Sequence, residues 1–224
     1  MRSPMGLTCL VVPRTVKKER KRRTDDRCWH QLAAGVARTI HRPRLEEAKM
    51  LAITIVLTEG FSDWEIATLG GAGRAFYGAN IRITSPSGGP IHSAAGMTIA
   101  STPVFRAPEN GVVVVCGGPL WEHDSGPDLA NQLHIAYANG CAVAGICGGT
   151  IALAHAKLLD QVRHTSNGPG YLRKFATAYA GAGHYLDQPF AVQDQNIIAA
   201  PAPAPASFAS EVLVAAGLEA ATAR

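Results

Sequence analysis

The sequence predicts an α/β fold, a three-layer sandwich in which helices cover both faces of a mostly parallel sheet. Apolar, β-branched segments alternate with stretches of helical character, which is the pattern of such a sheet. Two of the apolar segments run directly into glycine pairs, Gly117-Gly118 and Gly148-Gly149. One cysteine, Cys147, stands where the second of these segments meets its helix. Together these features predict a site at one edge of the sheet.

The elements alternate from residue 51 onward. The segment 51–58 is typical of a buried strand, and Ser62 or Asp63 can begin a helix that runs to about Tyr77. The later elements are a strand at 79–84, a turn at 86–90, short strands within 91–105, a strand at 112–116, a helix at about 127–139, a strand at 142–146, a helix at 148–156, short elements near 162–166 and 190–199, and a last helix at about 205–216. Because ligand sites in such sheets form at the carboxyl ends of the strands, we expect the loops after Leu57, Val115 and Ile146 to converge.

Charge divides the chain into two parts. Residues 1–49 hold 13 Lys and Arg against 5 Asp and Glu, whereas residues 50–224 hold 8 against 12. The run 17–23 is a block of like charge, and such blocks are usually solvated and disordered. We therefore predict a basic, disordered extension over 1–49 and one domain over 50–224. Because the predicted domain is mildly acidic, the net charge of +4 does not indicate a nucleic-acid partner.

The cysteines exclude several classes of protein. Their odd number, five, and irregular spacing do not fit a disulfide framework. No C-x-x-C pair is present, so we predict no structural zinc site and no other metal or cofactor. Free thiols favour a reducing cytoplasm. No apolar run reaches the roughly 18 residues that a membrane span needs, so no membrane partner is expected.

The segment Gly145-Ile146-Cys147-Gly148-Gly149 has the form of a nucleophile elbow, G-x-S-x-G, with cysteine in place of serine. Its glycines allow a sharp turn between strand and helix. The helix that follows directs its amides and dipole at the sulfur, and we expect this to lower the thiol pKa. The alternative is that Cys147 is only a small buried residue.

Two further segments could complete this site. Cys116-Gly117-Gly118-Pro119 ends an apolar strand, and its free amides could join the Gly148 amide in an oxyanion hole. An ordinary glycine turn is the alternative. Glu65 lies near the start of the first predicted helix, where its carboxyl group could meet the sulfur. It could equally be an acid that the helix dipole favours.

In this order and spacing, the three segments resemble the ThiJ/PfpI family of the class I glutamine amidotransferase-like superfamily. The resemblance covers about residues 50–218 and implies a flavodoxin-like sandwich and a homodimer. Cys147 matches the elbow cysteine of the family, and Glu65 matches the acid that hydrogen-bonds its sulfur, usually in protonated form. Gly118 and Gly148 match the oxyanion amides.

Departures from the family pattern limit what the resemblance implies. Protease-like members place a His directly after the elbow cysteine, where this chain has Gly148. The late His-x-Glu of glutamine amidotransferase domains is absent. Other members carry a His beside a Thr in the loop after the elbow helix. Here His164 precedes Thr165 and Ser166 takes the more usual His position, so His164 either reaches the site from a shifted loop as a catalytic residue or points to solvent.

The sequence therefore predicts a cysteine-dependent enzyme of the ThiJ/PfpI type. It would act on a small electrophilic substrate, in a glyoxalase-, hydrolase- or hydratase-like reaction, through a covalent adduct on Cys147. A typical protease or glutaminase is not expected. Two alternatives stay open: a redox or stress sensor that responds through oxidation of Cys147, and a binding module without glutaminase activity.

Overall fold

The computed structural model describes residues 52–223, so the predictions made for residues 1–49 lie outside it. The strands are β1 (Ala52–Val56), β2 (Asn80–Thr84), β3 (Gly89–His92), β4 (Thr98–Thr102), β5 (Val112–Val115), β6 (Ala142–Ile146), β7 (Val192–Asp194) and β8 (Ile197–Ala200). The helices are α1 (Asp63–Tyr77), α2 (Ala130–Ala138), α3 (Gly149–His155), α4 (Tyr171–Phe175), α5 (Pro205–Ala215) and α6 (Ala220–Ala223), with 3₁₀ turns at Pro119–Glu122 and Gly181–His184.

Six strands form one sheet in the order β2-β1-β5-β6-β8-β7, and β3 and β4 form a separate antiparallel hairpin. Every pairing in the large sheet is parallel except that of β7 with β8. The chain leaves β1 toward β2 on one side and later returns to β5 on the other. The crevice between the carboxyl ends of β1 and β5 is therefore a switch point, where α/β sheets form their ligand sites.

Two hydrophobic layers cover the sheet. Helices α1 and α5 pack on one face, and α2, α3 and α4 contribute to the layer on the other. The four valines of β5 alternate between these layers, and none of them is exposed. Successive side chains of a strand point to opposite faces, so an entirely apolar strand must be covered on both. The predicted α/β sandwich is thus confirmed.

Two predicted elements differ from the structure. The helix expected from about residue 127 begins at Ala130, whose N–H donates to the Asp128 carboxylate at 2.9 Å. The short element expected near 162–166 is neither a helix nor a strand, and His164 there forms only an isolated bridge with Tyr185. None of the helices between residues 52 and 223 is long and apolar enough to cross a membrane.

Candidate active site

Cys147 occupies the turn between β6 and α3 in a left-handed conformation, with φ of 54°. Its N–H donates to the Ala200 carbonyl at 2.9 Å, so the ladder to β8 continues up to the turn. The turn is tight because α3 lies directly against the sheet: a Cβ on Gly149 would overlap the Val115 carbonyl oxygen. The glycine after the elbow therefore allows the helix to approach, and the strained backbone presents the half-buried thiol at the sheet edge.

Glu65 is the third residue of α1 and is fully buried. Its Oε2 accepts the Gly117 N–H at 2.8 Å, and its side chain interacts with the Cys147 thiol. Its Oε1 makes no hydrogen bond of good geometry to any residue of the described part. A Cβ on Gly117 would lie 2.9 Å from Oε1 and 2.7 Å from the Cys147 Cβ. The Glu65 carboxyl group and the Cys147 side chain therefore come together only because residue 117 is a glycine without a Cβ.

The Cys147 thiol and the Glu65 carboxyl group influence each other's protonation. Burial raises the pKa of the Cys147 thiol to about 11, and the negative charge of Glu65 adds to the rise. The hydrogen bond from the Asn167 amide and the nearby Gly148 N–H act in the opposite direction. Burial also raises the pKa of the Glu65 carboxyl group. The lowered thiol pKa predicted from the helix dipole is therefore wrong in direction, because burial and the carboxylate outweigh the amide at the start of α3.

Because each ionisation opposes the other, the pair loses its two protons in separate steps, and the form between these steps carries one negative charge. The remaining proton can lie on the Cys147 sulfur or on the buried Glu65 carboxyl group, whose Oε1 has no hydrogen-bond partner in the described part of the chain. When that proton lies on Glu65, the sulfur is a thiolate that accepts the Asn167 amide N–H at 3.2 Å.

The amides of Gly118 and Gly148 belong to the two glycine turns that follow β5 and β6. Within residues 52–223, neither N–H donates to a carbonyl or side-chain oxygen. A Cβ on Gly148 would be 3.4 Å from the Gly118 nitrogen and 2.9 Å from its carbonyl oxygen, so the two turns are in direct contact. The Trp121 indole N–H holds the first turn by donating to the Cys116 carbonyl at 2.9 Å. The two free donors suit a developing oxyanion.

Asn167 is a site residue that the sequence interpretation missed. Its Nδ2 donates to the Cys147 Sγ at 3.2 Å, and its Oδ1 accepts the Ala202 N–H at 2.9 Å. The second bond fixes the orientation of the amide, so that the NH₂ group faces the sulfur. Asn167 lies in the segment that resembles the family, but a single amide in a loop has no spacing pattern that would assign it a role.

His164 is not brought to the sulfur. The ring is fully buried, its Nδ1 lies 2.8 Å from the Val162 carbonyl, and its Nε2 lies 2.6 Å from the Tyr179 hydroxyl. Burial lowers the His164 pKa, so the ring is neutral, with the proton on Nδ1 where only a donor fits. Both nitrogens are thus engaged within the loop, and the prediction of a catalytic His164 is corrected to an anchoring contact. The neighbouring Ser166 hydroxyl pairs with the Thr150 hydroxyl on α3 at 2.7 Å.

A cysteine on a nucleophile elbow, a buried carboxyl group beside it and two free amides define a class of α/β proteins with a poised thiol. Within that class, residues 52–215 match the model of the DJ-1/PfpI family, and the chain belongs to this family. The resemblance to the ThiJ/PfpI family and to the glutamine amidotransferase-like fold is thereby confirmed.

Known relatives agree with this assignment. A DJ-1 superfamily protein from Agrobacterium tumefaciens, Atu0886, is 35% identical with a TM-score of 0.72, covering 76% of this chain and 92% of its own. A thiJ/pfpI family protein from Bacillus anthracis is 26% identical with a TM-score of 0.66, covering 75% and 83%. The uncharacterized protease YoaZ of Bacillus subtilis is 34% identical over 102 residues, which is 46% of this chain and 48% of that protein. The match thus spans about half the length of this curated relative.

Proposed function

We propose that this protein is a cysteine-dependent enzyme that forms a covalent adduct between Cys147 and a small electrophilic substrate. The observation that carries the proposal is the buried Glu65 carboxyl group in contact with the Cys147 side chain, together with the Gly118 and Gly148 amides, neither of which donates to a carbonyl or side-chain oxygen of the described residues. A nucleophile, a proton source and an oxyanion site are the groups that addition to a carbonyl requires. The half-buried sulfur is open to a small molecule.

The reaction would begin from the form with a Cys147 thiolate and a protonated Glu65. The sulfur attacks the carbonyl carbon, a C–S bond forms, and the π electrons move to the oxygen. The Gly118 and Gly148 amides hold the developing oxyanion. Glu65 then gives its proton to that oxygen, directly or through a water, which leaves a neutral adduct and a Glu65 carboxylate.

A reactive carbonyl such as a glyoxal fits this site better than the other electrophiles that resemblance to the family suggests, a small amide or an isocyanide. Addition to an aldehyde needs one proton and no leaving group. Hydrolysis of an amide needs a second group to protonate the departing amine, and both nitrogens of His164 are engaged elsewhere.

Peptide hydrolysis is not proposed, although the relative from Bacillus subtilis is named as a protease. A side chain at position 148, such as the His of protease-like members, would bring its Cβ to 2.9 Å from the Gly118 carbonyl oxygen. The glycine turn that forms the oxyanion site therefore leaves no room for that histidine.

The proposal is tested by incubating the protein with methylglyoxal and with glutamine separately and following product. We expect methylglyoxal to be consumed and glutamine to remain. Cys147→Ser should lose at least about 100-fold in rate, because the alkoxide of serine is far less accessible at neutral pH than a thiolate. Cys141→Ser, which changes a buried cysteine that packs in the opposite layer, is the matched control and should retain the rate. Equal turnover by wild type and Cys147→Ser would contradict the proposal.

A further inference from the structure

A second thiol shares the Glu65 carboxyl group with Cys147. Cys116, directly after β5, is fully buried, and its Sγ lies 3.8 Å from the Glu65 Oε2 and 3.5 Å from the Ser62 carbonyl oxygen. The adduct chemistry proposed above makes no use of this thiol. A buried nucleophile that contacts the same carboxyl group as the reactive sulfur therefore requires its own explanation.

The register of the sheet places Cys116 close to Cys147. Val115 on β5 is paired with Gly145 on β6, so Cys116 comes opposite Ile146, one position before Cys147. Strands about 4.8 Å apart with a rise of about 3.3 Å per residue put such a diagonal pair of Cα atoms about 5.8 Å apart. This separation falls within the range of about 4.4–6.8 Å that a disulfide spans.

The elbow also turns the two side chains to the same side. Regular alternation would direct residue 147 to the face opposite Cys116. The left-handed φ of 54° changes this direction, and Cys147 packs against the same hydrophobic cluster, below α1 and α5, that contains Cys116. Both sulfurs approach Glu65 from this side.

Cys141 offers a comparison within the same sheet. It is equally buried and precedes β6, but it belongs to the opposite cluster and its Sγ donates to the Pro108 carbonyl at 3.5 Å. Of the three cysteines in the described part of the chain, Cys116 and Cys147 are the two that interact with Glu65.

We propose that Cys116 is the resolving thiol of Cys147: when a peroxide oxidises Cys147, Cys116 closes a Cys116–Cys147 disulfide and protects the nucleophile from irreversible oxidation. The inference rests on the same nucleophilic sulfur as the proposed function. Disulfide formation needs no substrate turnover, so the inference and the proposed function can fail separately.

The chemistry balances with hydrogen peroxide as the oxidant. The Cys147 thiolate attacks one peroxide oxygen, the O–O bond breaks, and the departing hydroxide takes the Glu65 proton to become water. The Glu65 carboxylate then accepts the proton of the Cys116 thiol, to which it is already hydrogen-bonded. The Cys116 thiolate attacks the sulfenic sulfur, the S–O bond breaks, and the hydroxide leaves as a second water with the proton returned by Glu65. Peroxide is reduced by two electrons and the two sulfurs are oxidised by two.

The experiment treats the full-length protein with hydrogen peroxide, at one equivalent for the disulfide and in excess for the sulfinic acid, which consumes two equivalents. The remaining thiols are then blocked and the intact mass is measured. An internal disulfide lowers the mass by two units, whereas a sulfinic acid raises it by 32. Cleavage before Asp124 and Asp128 then separates the fragment with Cys116 from the fragment with Cys141 and Cys147, because both aspartates lie between them. Fragmentation of the linked pair identifies the partner cysteine, including Cys9 or Cys28.

We expect wild type and Cys141→Ser to form the Cys116–Cys147 link. In Cys116→Ser and Cys116→Ala, Cys147 should proceed to sulfinic acid at least tenfold faster than in wild type, because no thiol intercepts the sulfenic acid. Absence of the link in wild type, or a link from Cys147 to any other cysteine, would overturn the inference. Since the link is mapped in the wild-type protein, the test decides the question even if both Cys116 variants fold poorly.

Discussion

At the scale of single residues, the coupling between Cys147 and Glu65 decides how the site responds to pH. Neither group titrates alone, because the charge of one opposes the ionisation of the other. Once the first proton has left the pair, the remaining proton is distributed between Glu65 and Cys147, so a fraction of the molecules carries a thiolate. Reactivity of the sulfur therefore follows the raised pKa of Glu65 and not only the high pKa of the thiol.

This coupling predicts the pH dependence of Cys147 alkylation. In wild type, the rate should rise once as pH passes through the Glu65 pKa, which burial raises above its usual value, and a second time toward the thiol pKa of about 11. Glu65→Gln removes the shared proton, so this lower limb should disappear and Cys147 should titrate as one thiol at higher pH. The measurement is the rate of iodoacetamide labelling at Cys147 between pH 4 and 11, followed by mass spectrometry.

The opposite result has a clear meaning. A single step near pH 11 in wild type, moved to lower pH by Glu65→Gln, would place the proton on the sulfur and a fixed carboxylate beside it. The nucleophile would then be a thiol at neutral pH, and the proposed addition would lose its attacking group. Asp63→Asn, whose half-buried carboxylate accepts the Ala95 N–H at 2.9 Å, is the control for removing one negative charge from α1 without touching the pair.

At the scale of elements, the close approach of α3 to β5 positions the nucleophile. A Cβ on Gly149 would overlap the backbone oxygen of Val115, which cannot move without disturbing the sheet. We expect Gly149→Ala to lower the free energy of unfolding by about 3 kcal/mol, the upper part of the range for overpacking. Urea unfolding followed by circular dichroism measures the change.

Gly71 in α1 provides the matched substitution. It is exposed and its Cβ would meet no atom within 4 Å, so Gly71→Ala should raise the free energy of unfolding by about 0.5–1 kcal/mol through helix propensity. Equal effects of the two substitutions would show that the contact between α3 and β5 is less tight than the structure indicates.

The elements also show where prediction from sequence succeeds and where it stops. The consecutive valines of β5 predict a strand covered on both faces, because the hydrophobicity of a segment is read directly from its residues. The elbow around Cys147 is predicted by the glycines that flank it. The contact of Asn167 with the sulfur and the engagement of His164 depend on how one loop packs over α3. The direction of the thiol pKa depends on burial of the Cys147–Glu65 pair, which arises only when α1 and the elbow meet.

At the scale of the whole molecule, the described core is contained in one unit. The side chains of both hydrophobic layers come from residues 53–218, and the family match covers 52–215. We expect a fragment of residues 50–224 to fold alone and to melt within a few degrees of the full chain. We propose, on the family resemblance, that the fragment and the full chain form the same homodimer.

Light scattering and thermal denaturation of the two proteins test this expectation together. The fragment should also retain the rate of Cys147 alkylation, since the groups that contact the sulfur lie within it. A large loss of melting temperature, or a change of oligomeric state, would mean that residues 1–49 contribute to the folded protein. That outcome would contradict the predicted boundary near residue 50.

The left-handed backbone of Cys147 has a consequence for how such a chain evolves. A non-glycine residue held in this region costs about 1–3 kcal/mol, and glycine would adopt the same φ without strain. Drift under selection for folding alone would therefore favour replacement of the cysteine at this position. A lineage that no longer needs the chemistry is expected to lose the sulfur before it loses the fold, so descendants with glycine at position 147 would mark where the activity was abandoned.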